Sequence, residues 1–202
     1  MAPVALLLLV AWLVIVGVAR ALLQLRRTGA APLTFQDRTG SPQWWARLIS
    51  TVGLAFAFAA PIAEMAGWRP IAVLDQPIVD MGGIGLAIAG IVAIVVSQRA
   101  MGESWRGDVD YSVRTPLVTT GPFRIVRNPI LSATAVTAVG VALIVPGVFA
   151  ALMLVAFHAA HQVQVRLVEE PYLRQVHGAA YRDYGARTGR FMPYVGRFRA
   201  DD

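Results

Sequence analysis

Side chains that bind charge or transfer protons are concentrated in two segments of the chain. Residues 101–131 and residues 165–193 are both polar, and each lies against an apolar run. The charged residues of the first segment are Glu103, Arg106, Asp108, Asp110, Arg114, Arg124 and Arg127. The second segment opens on the adjacent carboxylates Glu169 and Glu170. If the chain carries out chemistry, we expect these two segments to supply the reacting and binding groups.

The tripeptide Arg127-Asn128-Pro129 precedes an apolar run and predicts the start of a helix. Proline fits the first helical position because its missing N–H would have no partner there, and Asn128 is a natural N-cap. The free N–H groups of a helix start can also bind an anion. The planar fork of Arg127 beside them suits a carboxylate. Capping alone explains the same residues, so both interpretations stay open at this point.

The carboxylates Glu169 and Glu170 stand at the end of the last apolar run. Acidic groups at a bilayer boundary are costly unless they are paired or functional. The alternative to a functional role is ion pairing within one helix, of Glu169 with Arg166 and of Glu170 with Arg174. Each such pair would stabilise the helix by about 0.2–0.5 kcal/mol.

The residues after this pair follow helical spacing. On a continuing helix Leu173, His177 and Tyr181 would share one face, and Tyr184 follows three residues later. Pro171 predicts a kink or a fresh helix start.

Two histidines and two missing residue types narrow the possible chemistry. His158 and His161 are three residues apart in the last apolar run, so they share a face. Such a pair binds a metal or moves protons in some proteins, but interhelical hydrogen bonding is the default interpretation, and we expect no metal site. The chain has no Cys, which excludes disulfides and thiolate sites. All 18 basic residues are Arg, which excludes a lysine Schiff base.

These groups must be positioned by membrane helices. Hydrophobic residues make up 56% of the 202 residues, charged residues only 15%, and the mean hydropathy is +0.58. This composition excludes a soluble enzyme, a disordered chain and a coiled coil. Each span needs about 20 apolar residues. The sequence therefore predicts an all-α polytopic bundle of about five transmembrane helices, in the apolar runs at residues 3–25, 44–68, 78–98, 130–145 and 148–168.

The arginines predict how this bundle is oriented. With an outside N-terminus, every Arg except Arg69 falls on the cytoplasmic face, where positive charge is retained. We therefore expect an integral plasma-membrane protein with a cytoplasmic C-terminus. We divide it into residues 1–98, the first three spans, and residues 99–202, a catalytic-type region with a loop, a helical hairpin and a cytosolic helical segment. Most of the arginines also have a simpler interpretation as contacts to anionic lipid headgroups.

The order of short motifs resembles the integral-membrane methyltransferases of the isoprenylcysteine carboxyl methyltransferase and phospholipid methyltransferase group. The matching residues are Thr120-Gly121-Pro122-Phe123-Arg124, Arg127-Asn128-Pro129-Ile130-Leu131 and Glu169-Glu170-Pro171-Tyr172-Leu173, then Gly178, Tyr181, Tyr184, Arg190 and Pro193. The resemblance covers residues 99–195. The stretch Gly102-Glu103-Ser104-Trp105-Arg106 is similar to a bacterial branch of the group, which implies a bacterial membrane. Two positions depart from the pattern, since Asn128 replaces the usual His and Leu131 the usual Tyr.

The resemblance implies S-adenosylmethionine as the methyl donor, covered by the C-terminal segment folding back over the hairpin. It implies that Arg127 binds the methionine carboxylate, while Glu169 or Glu170 receives the amino group or the ribose hydroxyls. These three residues form the expected catalytic set. The expected donor-binding residues are Gly121, Pro122, Phe123, Arg124, Arg127, Asn128, Pro129, Leu131, Glu170, Leu173, His177, Tyr181 and Tyr184.

The acceptor implied by the resemblance is lipophilic and enters from the bilayer, and Arg124 or Arg106 would attract an anionic one. An amine acceptor would need a base, for which Glu64, His177 and the paired carboxylates are candidates. Prenylated cysteine, phospholipid amines and small thiols all remain open as acceptors. Two rival interpretations also remain: an NADPH-dependent membrane reductase of the sterol-reductase type, and a non-catalytic scaffold that keeps the fold. We expect contacts with membrane lipids and none with nucleic acid, and the oligomeric state stays open.

Overall fold

The computed structural model describes residues 1–29, 38–105 and 115–198, without the side chain of Glu103. Within these residues the chain is helical, and the predicted all-α membrane bundle is confirmed. The helices are α1 (Ala2–Thr28), α2 (Pro42–Met65), α3 (Pro77–Met101), α4 (Pro129–Ile144), α5 (Val148–His177) and α6 (Ala179–Arg187). Short 3₁₀ turns cover Gly102–Ser104 and Gly121–Arg124. The candidates Arg106, Asp108, Asp110 and Arg114 lie outside the described residues.

The helix lengths match what a bilayer requires. α1, α2, α3 and α5 are each long and apolar enough to cross a membrane, whereas α4 has only 16 residues. At 1.5 Å per residue, α4 spans about 24 Å, so polar surroundings must complete its crossing of about 30 Å of hydrocarbon. α5 has 30 residues and is therefore about 45 Å long. This length exceeds the hydrocarbon thickness of about 30 Å, so α5 is long enough to extend beyond the apolar layer.

Glycines bring α3 against α4. A Cβ at Gly140 would lie 2.5 Å from the backbone nitrogen of Ala87, and one at Gly83 would lie 2.7 Å from the carbonyl oxygen of Gly140. A Cβ at Gly90 would collide with Thr137. Small residues allow this close backbone approach within membranes. The glycines of α3 therefore allow close helix packing, and the partner is α4 of the same chain.

A tight turn at Pro146-Gly147 joins α4 and α5 into the predicted hairpin. The turn is fixed by the loop after α2, since the backbone N–H of Ile71 donates to the carbonyl of Pro146 at 2.7 Å. α5 also packs along α2, where the ring of Phe157 lies against Gly53. α5 thus has α2 on one side and α4 on the other.

The expected break at Pro171 takes the form of a change in helix type. α5 is α-helical over Val148–Val163, π-helical over Gln164–Glu169 and α-helical again over Glu170–His177. Pro171 therefore falls at the start of the second α-helical stretch, directly after the helix changes from π to α hydrogen bonding. The helix continues across the proline, so the hairpin carries Glu170 without a chain break.

The C-terminal region folds back onto the start of the hairpin. Residues 188–198, here called the terminal segment, pair with the residues before α4: the backbone N–H of Arg127 donates to Gly189 at 2.8 Å and that of Asn128 to Arg190 at 3.1 Å. The predicted continuous helix through Tyr181 is wrong, because Gly178 has a φ of +54° and separates α5 from α6. Its ψ is −123°, a combination of angles that glycine adopts readily because it has no Cβ.

Candidate functional site

Arg127 is the central residue of the site, and only 5% of its surface is exposed. Its Nη1 donates to the carbonyl oxygens of Gly185 (3.0 Å) and Thr188 (2.5 Å). Its Nη2 donates to Glu170 Oε1 (2.8 Å) and to the carbonyl of Gly196 (3.0 Å). Both terminal nitrogens are therefore engaged by the protein. Arg127 fixes α6 and the terminal segment to the start of the hairpin, and its expected contact with a ligand carboxylate stays a prediction.

Glu170 joins Arg127 to Arg190. Its Oε1 accepts hydrogen bonds from Arg127 Nη2 and Arg190 Nε, and its Oε2 accepts one from Arg190 Nη2, all at 2.8 Å. The carboxylate side chain is 7% exposed, Arg127 1% and Arg190 17%. We call these three residues the ion-pair cluster. The two partners of Glu170 are distant from it in the chain, so the local pairing of Glu170 with Arg174 that was considered as an alternative is not the arrangement found in this cluster. The cluster carries one more positive than negative charge.

Aromatic rings pack beneath this cluster. Tyr181, Tyr184 and Phe198 form a buried core that Leu173 also contacts. The Phe198 ring lies 4.2 Å below the guanidinium carbon of Arg127. Burial raises the pKa of the Tyr181 phenol well above its usual value, and burial raises that of Tyr184 to about 12. Both phenols are thus neutral near pH 7 and serve as packed core residues, while their expected role in donor binding stays a prediction.

The 3₁₀ turn at Gly121–Arg124 anchors this core. Gly121 adopts a φ of +59°, a backbone conformation that favours glycine. The carbonyl of the buried residue Phe123 accepts a hydrogen bond of 2.6 Å from the hydroxyl of Tyr184. Arg124 is exposed at the surface. The turn, which contains Pro122, therefore holds α6 in place through the hydrogen bond between Phe123 and Tyr184.

Asn128 occupies the predicted N-cap position, but its side chain does not cap the helix. Its Nδ2 donates instead to the carbonyl of Arg190 at 3.1 Å. One turn later Ser132 Oγ donates to the carbonyl of Phe191 at 2.7 Å. These bonds replace local capping because the terminal segment lies across the N-terminus of α4 and offers its own carbonyls. Asn128 and Ser132 thus dock the terminal segment onto the hairpin.

A cavity of about 700 Å³ lies between α4 and α5 under the terminal segment. Its polar lining comes from Ser132, His158, His161, Gln162, Arg166 and Arg190. The rest of its wall is largely apolar and includes Leu131 of α4 and Phe191 and Met192 of the terminal segment. No described residue that lines the cavity is acidic. A volume of this order, with an apolar wall and a few polar groups, is typical of small-molecule sites.

A row of polar side chains runs along the α5 wall of the cavity. Arg166 Nε donates to Gln162 Oε1 at 2.7 Å, and Gln162 Nε2 lies 3.5 Å from His158 Nε2. Glu169 points elsewhere and accepts a hydrogen bond of 3.1 Å from Gln164 Nε2. Arg166, Gln162 and His158 thus place a continuous line of polar groups along a cavity wall that is otherwise largely apolar.

The structure brings together only part of the predicted set. Arg127, Glu170, Leu173, Tyr181 and Tyr184 meet around Phe198. Of the predicted donor-binding residues, Leu131 is the one that lines the cavity. His177, at the end of α5, is outside both the aromatic core and the cavity lining.

Glu64, a candidate base, is remote from this site. It lies near the opposite end of the bundle, where its Oε1 accepts a hydrogen bond of 3.1 Å from the backbone N–H of Ala2.

Three residues of the site were not assigned to it from the sequence: Arg190, Ser132 and His161. The terminal Arg190-x-x-Pro193 motif and the histidine spacing were the signals for two of them.

Comparison with known proteins gives one family. A family model described as phospholipid methyltransferase matches residues 79–180, which run from α3 through the hairpin into α6. No curated protein and no solved structure matches the chain. The matched range contains Arg127, Glu170 and the α4 and α5 walls of the cavity, and it stops before the terminal segment.

Proposed function

The chain belongs to the phospholipid methyltransferase family, and from this premise we propose that it is an S-adenosylmethionine-dependent methyltransferase acting on a lipophilic acceptor at the cytosolic leaflet. The observation that carries the proposal is the cavity of about 700 Å³, which lies between the two hairpin helices and under a terminal segment fixed by buried ion pairs. The isoprenylcysteine-type acceptor and the phospholipid amine are two members of the acceptor class.

The residues around this cavity fit such a donor. A sulfonium donor has an apolar adenosyl part and a zwitterionic methionine part, and the cavity combines an apolar wall with cationic side chains at one end. Arg190 lies on the cavity wall and is held by Glu170. We assign Arg190 to the donor carboxylate. Arg127, whose terminal nitrogens bind the protein, acts as a positioning residue through Glu170 and the terminal segment.

The chemistry supplied by the bound donor is an activated methyl group, transferred in line to a nucleophile. The protein contributes position and exclusion of water, because an in-line displacement needs the reacting atoms held close and aligned. Asn128 and Ser132 hold the roof of the cavity over the hairpin. The apolar side chains of α4 and α5 that line the cavity offer a path for a lipid tail from the bilayer.

The cytosolic location rests on the arginine distribution. If the five apolar helices alternate across the membrane, every Arg except Arg69 falls on the face that also carries the terminal segment. Positively charged loops stay in the cytoplasm, where a water-soluble donor is available. Cysteine-substituted loops labelled from one side of sealed vesicles test this orientation, and labelling of residue 69 from the cytoplasmic side would contradict it.

Donor binding by the detergent-purified protein tests the function. S-adenosylhomocysteine at 100 times its Kd stabilises a protein by about 2.7 kcal/mol, so the melting temperature is expected to rise by several degrees. NADPH is expected to have no effect, and stabilisation by NADPH instead would favour a reductase.

Variants at the ion-pair cluster test the site. We expect Arg127→Ala and Glu170→Ala to remove the shift caused by S-adenosylhomocysteine. Arg182→Ala, on the exposed face of α6, is the matched control and keeps it. If both cluster variants keep the shift, the site assignment is wrong. Transfer of a labelled methyl group to a membrane lipid extract separates an enzyme from a scaffold.

A further inference from the structure

His161 is a polar residue without an assigned role on the wall of the cavity. It lies on α5 and its ring is half-buried, stacked nearly parallel to that of Phe157 with centroids 6.2 Å apart. No described residue hydrogen-bonds to its ring nitrogens, whereas the neighbouring His158 has Gln162 as a partner. A polar ring in an apolar wall is costly unless it meets a polar group. The stacking fixes the ring and leaves its nitrogens for a ligand in the cavity.

The charges around the cavity bear on which acceptor it can hold. Arg166 stands on the same wall and Arg190 on the terminal segment, while no described lining residue is acidic. α4 carries no ionisable side chain, and α2, which packs on the other side of α5, carries Arg47 and Glu64. An ammonium group entering this cavity would therefore meet positive charge and no carboxylate. Such surroundings favour the neutral form of an amine.

We propose that His161 is the general base that accepts the proton of an amine acceptor in this cavity. The inference rests on the proposed methyltransferase function and adds the acceptor class and the residue that prepares it. A neutral imidazole has one ring nitrogen with a free lone pair, which can accept a proton. The exposed Arg166 at the rim would pair with an anionic headgroup next to the amine.

The step balances as a proton transfer followed by a displacement. The acceptor ammonium gives one proton to a ring nitrogen of His161, which leaves a neutral amine and an imidazolium. The nitrogen lone pair then forms a bond to the methyl carbon of the sulfonium donor. The carbon–sulfur bond breaks, and its electron pair stays on sulfur as a neutral thioether. The imidazolium releases its proton to water through the open rim of the cavity.

The test measures methyl transfer from labelled S-adenosylmethionine to phosphatidylethanolamine in mixed micelles as a function of pH. General bases contribute about 10²–10⁴-fold, so His161→Gln is expected to lower kcat/KM by about 100-fold at pH 7. The wild type is expected to lose activity in the acid range in which His161 is protonated before the acceptor binds, which gives a break in the pH profile. The variant is expected to lose this break and to rise steadily with pH as water removes the proton.

Three controls separate a base from a structural residue. His161→Gln must keep the melting temperature and the stabilisation by S-adenosylhomocysteine. His158→Gln must keep the break in the pH profile. His161→Ala must regain activity when imidazole is added at pH 8, and must not regain it with the same concentration of imidazolium at pH 5.

The inference is overturned if His161→Gln keeps the wild-type pH profile, or if imidazole does not restore His161→Ala. It is also overturned if S-adenosylhomocysteine binds but the labelled product from a total membrane lipid extract is a methyl ester, since a carboxylate needs no base. A prenylated N-acetylcysteine provides that carboxylate as a defined probe. Absence of both donor binding and transfer to any lipid contradicts the proposed function instead.

Discussion

Replacing Glu170 by Gln removes the only carboxylate of the ion-pair cluster and keeps its shape. The amide still accepts a hydrogen bond, but Arg127 loses its counter-charge while its side chain is only 1% exposed. Breaking a buried pair by removing one partner costs about 3–5 kcal/mol, because the remaining charge stays desolvated. Glu170 has two arginine partners, so we expect Glu170→Gln to lower the free energy of unfolding by about 3–5 kcal/mol.

A comparison of the two arginines refines this prediction. Arg190 is 17% exposed at its side chain, so water compensates part of its loss, and Arg190→Gln is expected to cost less than Glu170→Gln. The double variant is expected to cost less than the sum of the two single variants, because the partners act on each other. Unfolding in mixed detergent micelles, followed by Trp fluorescence, measures all three. A loss below about 1 kcal/mol for Glu170→Gln, the level of an exposed pair, would refute the reasoning.

Two further predictions concern packing and pH. Tyr184→Phe removes a buried hydrogen bond to the Phe123 carbonyl and should cost about 1–3 kcal/mol. Because folding raises the pKa of Tyr184 from about 10 to about 12, its stabilising effect is complete below pH 10 and is lost as the pH rises to 12. Burial also raises the pKa of Tyr181, which is present in both proteins, so thermal melts across this range should show a larger loss in the wild type than in the variant. Gly90→Ala places a Cβ against Thr137 and should lower the free energy of unfolding by about 1–3 kcal/mol. Gly85→Ala on the same helix meets nothing within 4 Å and should leave the melting temperature unchanged. Equal effects of the two variants would contradict the close packing of α3 on α4.

The sequence was informative wherever a local rule governs structure. Apolar runs of the right length predicted the membrane helices, since a span needs about 20 residues whatever its neighbours are. Pro129 predicted the start of a helix, and α4 begins at that residue. Local rules failed at the end of the bundle that carries the terminal segment. Asn128 has the residue type of an N-cap, but its side chain donates instead to the carbonyl of Arg190, which is 62 residues away.

The ordered motifs of residues 99–195 indicated the family, and the family match agrees with them. They did not indicate how the residues divide between the ion-pair cluster, the aromatic core and the cavity. Leu131 and Tyr181 belong to the same motif set, yet one lines the cavity and the other is 2% exposed in the core. A motif records which residue types recur along the chain, whereas their grouping depends on how the helices and the terminal segment pack.

Composition and run length by themselves determined that this chain is a helical membrane protein, and the placement of the arginines predicts that its positive charge lies on one side. Only the tertiary structure decided that Glu170 pairs with Arg127, 43 residues away, and with Arg190, 20 residues away. It alone placed the terminal segment over a cavity that His161 faces. The reason is that apolar length acts on each helix independently, while a buried charge is stabilised only by the partner that folding brings within hydrogen-bond distance.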